Sequence, residues 1–139
     1  MKYFLDSNVF LRFLIHNPAN EEIFEDCKRL FERIEQKKIN CITASWVFAE
    51  IVWVLKSVYG FRKQQIITAL RVCAASPIVI DNTVDHTLAL SLYEKQKVKF
   101  IDCLIASHPQ LQNKDITIIS YDTDFDKLGV KRTEPEKLI

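Results

Sequence analysis

Glu50 lies within "SWVFAEIVWVL", where helical spacing puts Trp46 and Val47 one turn back and Trp53 and Val54 one turn ahead. No lysine or arginine stands within helical reach, and an ionised carboxylate in apolar surroundings is costly unless a positive charge neutralises it. Three more acids are placed unlike surface acids. Asp6 follows "YFL" and Asp122 follows "ITIISY", each at the expected carboxyl end of a β-prone run, and Asp102 sits in the apolar stretch "FIDCLIA". Taken singly, Asp6, Asp102 and Asp122 have ordinary roles open to them as turn or cap residues, and Glu50 has that of a structural ion pair. Taken together, four carboxylates converging on one crevice would repel unless some stay protonated or a cation binds. No histidine or cysteine accompanies them, so the donors are hard oxygens that suit Mg²⁺ or Mn²⁺ rather than zinc. The acids Glu21, Glu22, Glu25, Asp26, Glu32 and Glu35 carry no such signal, because they share the polar face of an amphipathic helix.

The elements that must position these groups follow from periodicity. "KYFLD", "INCITA", "PIVIDN" and "DITIISYD" read as strands, and "VKRTEP" as a final edge strand. Between them, "VFLRFLIHN", "EEIFEDCKRLFERIEQKK", "SWVFAEIVWVLKSVYG", "RKQQIITALRVCAAS", "TVDHTLALSLYEKQK" and "FIDCLIASH" read as helices, with Ser45 and Thr83 in capping positions. Strands alternating with helices predict an α/β fold with a largely parallel central sheet covered on both faces. In such a sheet the binding crevice lies outside the carboxyl ends of the strands, where the strand order reverses. If the strands ending in Asp6 and Asp122 are neighbours there, their acids face each other.

Composition narrows the class. With 139 residues and no repeat or linker, the chain reads as a single domain, residues 1–139. Two glycines, Gly60 and Gly129, form no phosphate-loop or dinucleotide fingerprint. The four scattered cysteines, Cys27, Cys41, Cys73 and Cys103, have neither zinc-ligand nor redox spacing and read as reduced core thiols. An acid at position 6 interrupts any leader-like core, and no apolar run reaches the roughly 18 residues of a membrane span, so a cytoplasmic location is expected. A formal charge of +1 leaves a local basic patch open.

"FLDSNVFLRFL", "SWVFAEIVWVL", "VKFIDCLIASH" and "ITIISYDTDFDKLG", in this order across nearly the whole chain, resemble the four acidic motifs of the PIN-domain nucleases, most closely the VapC-type toxins of bacterial toxin-antitoxin pairs. The resemblance implies a three-layer α/β/α fold with strand order 3-2-1-4-5 and Mg²⁺- or Mn²⁺-dependent endoribonuclease activity. It assigns catalysis and metal binding to Asp6, Glu50, Asp102 and Asp122, and support through hydrogen bonds to Asn8 and Ser120. Asp122 has the favoured spacing for the fourth acid, Asp124 is close enough to share or replace its role, and Asp126 reads as a solvated helix-start residue.

With metal-bound carboxylates no histidine is required as a base, and His16, His86 and His108 stand away from the motifs. Arg12, about a turn on from Asn8, is the expected substrate-binding residue, with Lys56, Arg62, Lys63, Lys97 and Lys99 as further candidates. Phe10, Phe13, Phe24 and Phe31 are more apolar surface than a small core needs; the resemblance implies an antitoxin docked near these early helices, and a homodimer. The alternatives are a PIN ribonuclease of RNA maturation, a Mg²⁺-dependent phosphatase-like domain, and a binding module with a degenerate site.

Overall fold

The computed structural model describes residues 2–139. It contains strands β1 (Lys2–Leu5), β2 (Asn40–Thr43), β3 (Val79–Ile80), β4 (Thr117–Ile119) and β5 (Arg132–Thr133). The helices are α1 (Ser7–Leu14), α2 (Glu21–Glu35), α3 (Ser45–Ser57), α4 (Lys63–Ala75), α5 (His86–Lys95), α6 (Phe100–Ala106) and the single turn α7 (Pro109–Gln112). Three 3-10 helices, Pro18–Asn20, Thr123–Leu128 and Pro135–Leu138, complete the described residues.

All strand pairs are parallel and the order is β3-β2-β1-β4-β5, as expected for a PIN-like α/β fold. β1 and β4 are therefore neighbours, with Leu5 opposite Ile119, and Asp6 N–H continues the ladder to the Ile119 carbonyl at 3.2 Å. Successive crossovers run outward from β1 on one side, to β2 and β3, and then restart at β4 on the other. The order reverses between β1 and β4, which is where an open parallel sheet leaves a crevice.

The central strands are buried on both faces by Phe4, Leu5, Ile42, Ile118 and Ile119, and helices flank the sheet. α2 owes its orientation to one apolar stripe, Cys27, Leu30, Phe31 and Ile34, all buried, with its charges outside. Phe10 packs against Phe31 and Phe48 with ring centroids 5.6 and 5.7 Å apart, so Phe10 and Phe31 belong to the core rather than to spare surface.

Two capping expectations are corrected. Ser45 is the first residue inside α3, and Ala44 is its N-cap; Asn82 satisfies the helix end from outside, accepting from Ser45 N–H at 2.8 Å while its amide donates to Ser45 Oγ at 2.9 Å. Asp85, not Thr83, caps α5, accepting from Leu88 N–H at 3.0 Å. A carboxylate in that place also complements the partial positive charge of the helix start. The strands are shorter than their apolar runs because they pair only where neighbours overlap in register. All four cysteines are buried and unpaired, as expected of core thiols.

Candidate metal-binding acidic site

Asp6 ends β1 and caps α1. Its Oδ1 accepts from Ser7 N–H at 2.8 Å, and its Oδ2 accepts from Ser120 Oγ at 2.7 Å and from Asn8 Nδ2 at 3.2 Å. Asn8 also donates to Ser120 Oγ at 2.9 Å and accepts from Tyr121 N–H at 3.2 Å, so one amide stitches the ends of β1 and β4 together. Despite those donors, burial pushes the Asp6 carboxyl up to about 6, with Glu50 adding to the rise.

Asp102 is the third residue of α6, within its first turn and not its cap, and is buried. Its Oδ2 is fully enclosed and has no hydrogen-bond donor. Burial comes first among the causes that push this carboxyl up to about 7; the charges of Asp6, Asp122 and Glu50 add to it, against the opposing pull of Lys99. One carboxylate oxygen each from Asp102, Asp122 and Asp124 lies within 4.8 Å of the others. Asp122 caps the 3-10 helix Thr123–Leu128 and accepts from Asp124 N–H at 2.9 Å, which turns Asp124 back toward Asp102. Both candidates for the fourth acid therefore reach Asp102, and Asp126 lies outside the group, paired with Arg132 at 3.1 Å.

Glu50 differs from its sequence picture. Trp53 is 63% exposed and points away from any core, and Glu50 is not without a cation: Lys99 Nζ stands 3.3 Å from Glu50 Oε2. Ser7 Oγ donates to Glu50 Oε1, so Ser7 touches two of the acids at once, Asp6 through its backbone and Glu50 through its side chain. Partial desolvation disfavours the Lys99 ammonium, but Glu50, Asp102 and Asp6 together outweigh it and lift its pKa above the ordinary value. The sequence alone does not single out Ser7, and it gives no rank to Lys99 among five basic residues. The available signals were the position of Ser7 directly after Asp6 and of Lys99 one helical turn before Asp102.

Arg12 is half-buried and lines a depression of about 350 Å³ with Asn8, His16 and Tyr59, next to Asn8 rather than among the acids. His16 itself stacks on Phe24 with centroids 4.1 Å apart and contacts Glu21 at 2.5 Å.

The sequence matches the family model of the PIN domain over residues 3–131. The chain belongs to the PIN-domain family. Its fold is similar to that of the Mycobacterium tuberculosis toxin VapC20, described as cleaving the sarcin-ricin loop, at 16% identity and a TM-score of 0.64 over 92% of this chain and 95% of that one. It is also similar to VapBC2 from Rickettsia felis bound to a promoter DNA fragment (20%, 0.64, 96% and 98%) and to VapBC-1 from nontypeable Haemophilus influenzae (16%, 0.61, 98% and 99%). No curated protein is matched by sequence. Asp6 directly after β1 and Asp122 three residues after β4 lie at the carboxyl ends of adjacent strands, and Asp102 feels the charges of Asp6, Asp122 and Glu50.

The donor set fits a hard divalent cation. An enclosed carboxylate oxygen without a donor lies among acids, two of whose carboxyls are raised to about 6 and about 7 chiefly by burial with the neighbouring carboxylates adding to the rise, and every ligand atom of the tight group is oxygen.

Proposed function

We propose that this PIN-domain chain is a Mg²⁺- or Mn²⁺-dependent endoribonuclease, the toxin of a toxin-antitoxin pair, acting in the cytoplasm as one domain. The observation that carries the reading is the buried, donor-less Oδ2 of Asp102 facing acids from three other segments of the chain. Asp102, Asp122 and Asp124 are the nearest ligands for the ion, with Asp6 and Glu50 completing the acidic wall. A bound divalent ion supplies Lewis-acid polarisation of a phosphate oxygen and a water of lowered pKa, as Mg²⁺ and Mn²⁺ do in phosphodiester hydrolysis.

The chain's own residues supply the geometry. Asn8 and Ser120 orient Asp6 so that its carboxylate cannot rotate out of the wall. Ser7 does the same for Glu50. Lys99 offsets part of the acids' charge at the crevice mouth, which lowers the repulsion an incoming phosphate meets. To Arg12, one turn along α1 from Asn8, we assign a flanking phosphate.

For partners, the VapBC structures with the same fold support an antitoxin. An apolar groove of about 560 Å³, lined by Phe13 and Phe31 with Val72 and Ala75 of α4, is the seat we assign to it, since an amphipathic segment laid there would cover exposed Val72. A homodimer is part of the same reading, with exposed Trp53 and Val79 as apolar surface available to it.

The test is cleavage of a structured RNA pool by the wild type and by Asp102→Asn, each with Mg²⁺, Mn²⁺ or EDTA and each checked for fold by circular dichroism. Cutting that needs the metal and disappears in the folded variant is the expected result. Cutting that persists in EDTA, or in the variant, overturns it.

A further inference from the structure

The segment joining α5 to α6 runs "KQKVK", and its backbone is extended at Gln96 and Lys99. The exposed side chains here are those of Lys95, the last residue of α5, Lys97 and Lys99, while Gln96 and Val98 are half-buried. The three lysines, with Glu94 among them, line a depression of about 770 Å³ that Asp124, a member of the acid group, also lines, and Lys99 reaches from it to Glu50. On the same depression Tyr93 stands 50% exposed, with Phe100, 37% exposed, against it edge-on at 5.4 Å.

We propose that this ledge is the track along which single-stranded RNA reaches the acids, its phosphates on Lys95 and Lys97 and an unstacked base on Tyr93. The proposal rests on the ribonuclease reading above. Exposed lysines at alternate positions of a connecting segment follow a flexible phosphate backbone, and an exposed aromatic ring offers a stacking face that any splayed base can use. A duplex keeps its bases stacked on one another and has nothing to place on Tyr93, so the ledge selects strands that are already open. The acids alone would repel RNA, and the lysine ledge is an attractive surface that borders them at Asp124, itself paired with Lys127 at 3.1 Å.

The experiment is fluorescence anisotropy in EDTA, so that no cutting occurs, with a fluorescein-labelled RNA strand of about 15 nucleotides and the same strand annealed to its complement. Wild type, Lys95→Ala with Lys97→Ala, and Tyr93→Ala are compared across a salt series. The double lysine variant is expected to weaken single-strand binding about tenfold and to lower the salt slope by about one. Tyr93→Ala is expected to weaken the single strand about tenfold and to leave the duplex unchanged. Unchanged affinities overturn the proposal. So does a Tyr93→Ala protein whose sedimentation shows an altered oligomeric state while its RNA affinity is intact, because the aromatic pair is then a contact between copies of the chain. If the variants bind as tightly as the wild type, and the wild type cuts RNA with Mg²⁺, the ledge fails and the ribonuclease reading stands. A wild type that neither binds nor cuts RNA overturns both.

Discussion

The carboxylate of Asp102 has acids for neighbours and one lysine opposing them, and its enclosed Oδ2 has no donor. Its charge is therefore a cost to the fold without a bound cation. In EDTA at pH 8, Asp102→Asn is expected to melt a few degrees above the wild type, and Mg²⁺ is expected to raise the melting temperature of the wild type but not of the variant. Differential scanning fluorimetry checks both; a variant that melts lower in EDTA and still responds to Mg²⁺ contradicts this account of Asp102. Ser7 is the opposite kind of residue, since it carries no charge and fixes two acids. Ser7→Ala is expected to cost roughly 1 kcal/mol of stability and to lower the cleavage rate about tenfold with little change in KM, because it frees Glu50 without touching the substrate. Steady-state kinetics with a defined RNA reads that split. At this scale an apolar setting in the sequence corresponds to burial at Asp102, but not at Glu50, whose helix neighbour Trp53 is exposed. The sequence hid Lys99 beside Glu50, because that contact crosses between elements 49 positions apart.

Among the elements, the short β3 is held by contacts beyond its own pairing. Asp81, directly after it, donates its N–H to the Thr43 carbonyl at 2.7 Å, and its carboxylate accepts from Thr83 N–H at 3.0 Å and meets buried His108 Nε2 at 3.1 Å. His108 Nδ1 accepts from Gln110 N–H at 3.1 Å, so one imidazole joins the start of α7 to the end of β3. Hydrogen bonding at Thr83, with His108 adding to it, lowers the Asp81 carboxyl to about 2 against the opposing effect of burial. A depressed carboxyl stabilises the fold fully above its unfolded value near 4, and this contribution is lost as pH falls toward 2. Asp81→Asn is therefore expected to be less stable than the wild type at pH 7, with a gap that closes between about pH 4 and pH 2. Urea denaturation across that range checks the sign, and a gap independent of pH contradicts it. Among the described residues, apolar patterning located six of the seven α-helices and all five strands, β3 included although both of its residues are exposed. It missed α7 and the 3-10 helix after Asp122, which are too short to show a repeat, and it misplaced the cap of α3, which Asn82 supplies from a distant loop.

Across the whole molecule, the sheet gathers acids from residues 6, 50, 102, 122 and 124 at one end, while the groove lined by Phe13, Phe31 and Val72 lies on helices that carry none of the tight acid trio. Antitoxin binding and catalysis should then be separable. On the proposed toxin-antitoxin reading, Val72→Asp, on an exposed site of α4, is expected to abolish co-purification with a co-expressed cognate antitoxin while leaving RNA cleavage within about twofold of the wild type; retained co-purification contradicts the groove assignment. The parallel sheet and the crevice at its carboxyl ends followed from alternating elements, whereas the strand order came only through the resemblance, since periodicity says nothing about which strands adjoin. The most direct test of the central claim, that these carboxylates hold a divalent ion, is a titration of Mn²⁺ into wild type and Asp102→Asn, counting free Mn²⁺ by electron paramagnetic resonance. Saturable binding to the wild type, weakened at least about tenfold in the folded variant, is the predicted result. No binding by the wild type, or equal binding by both, would contradict it.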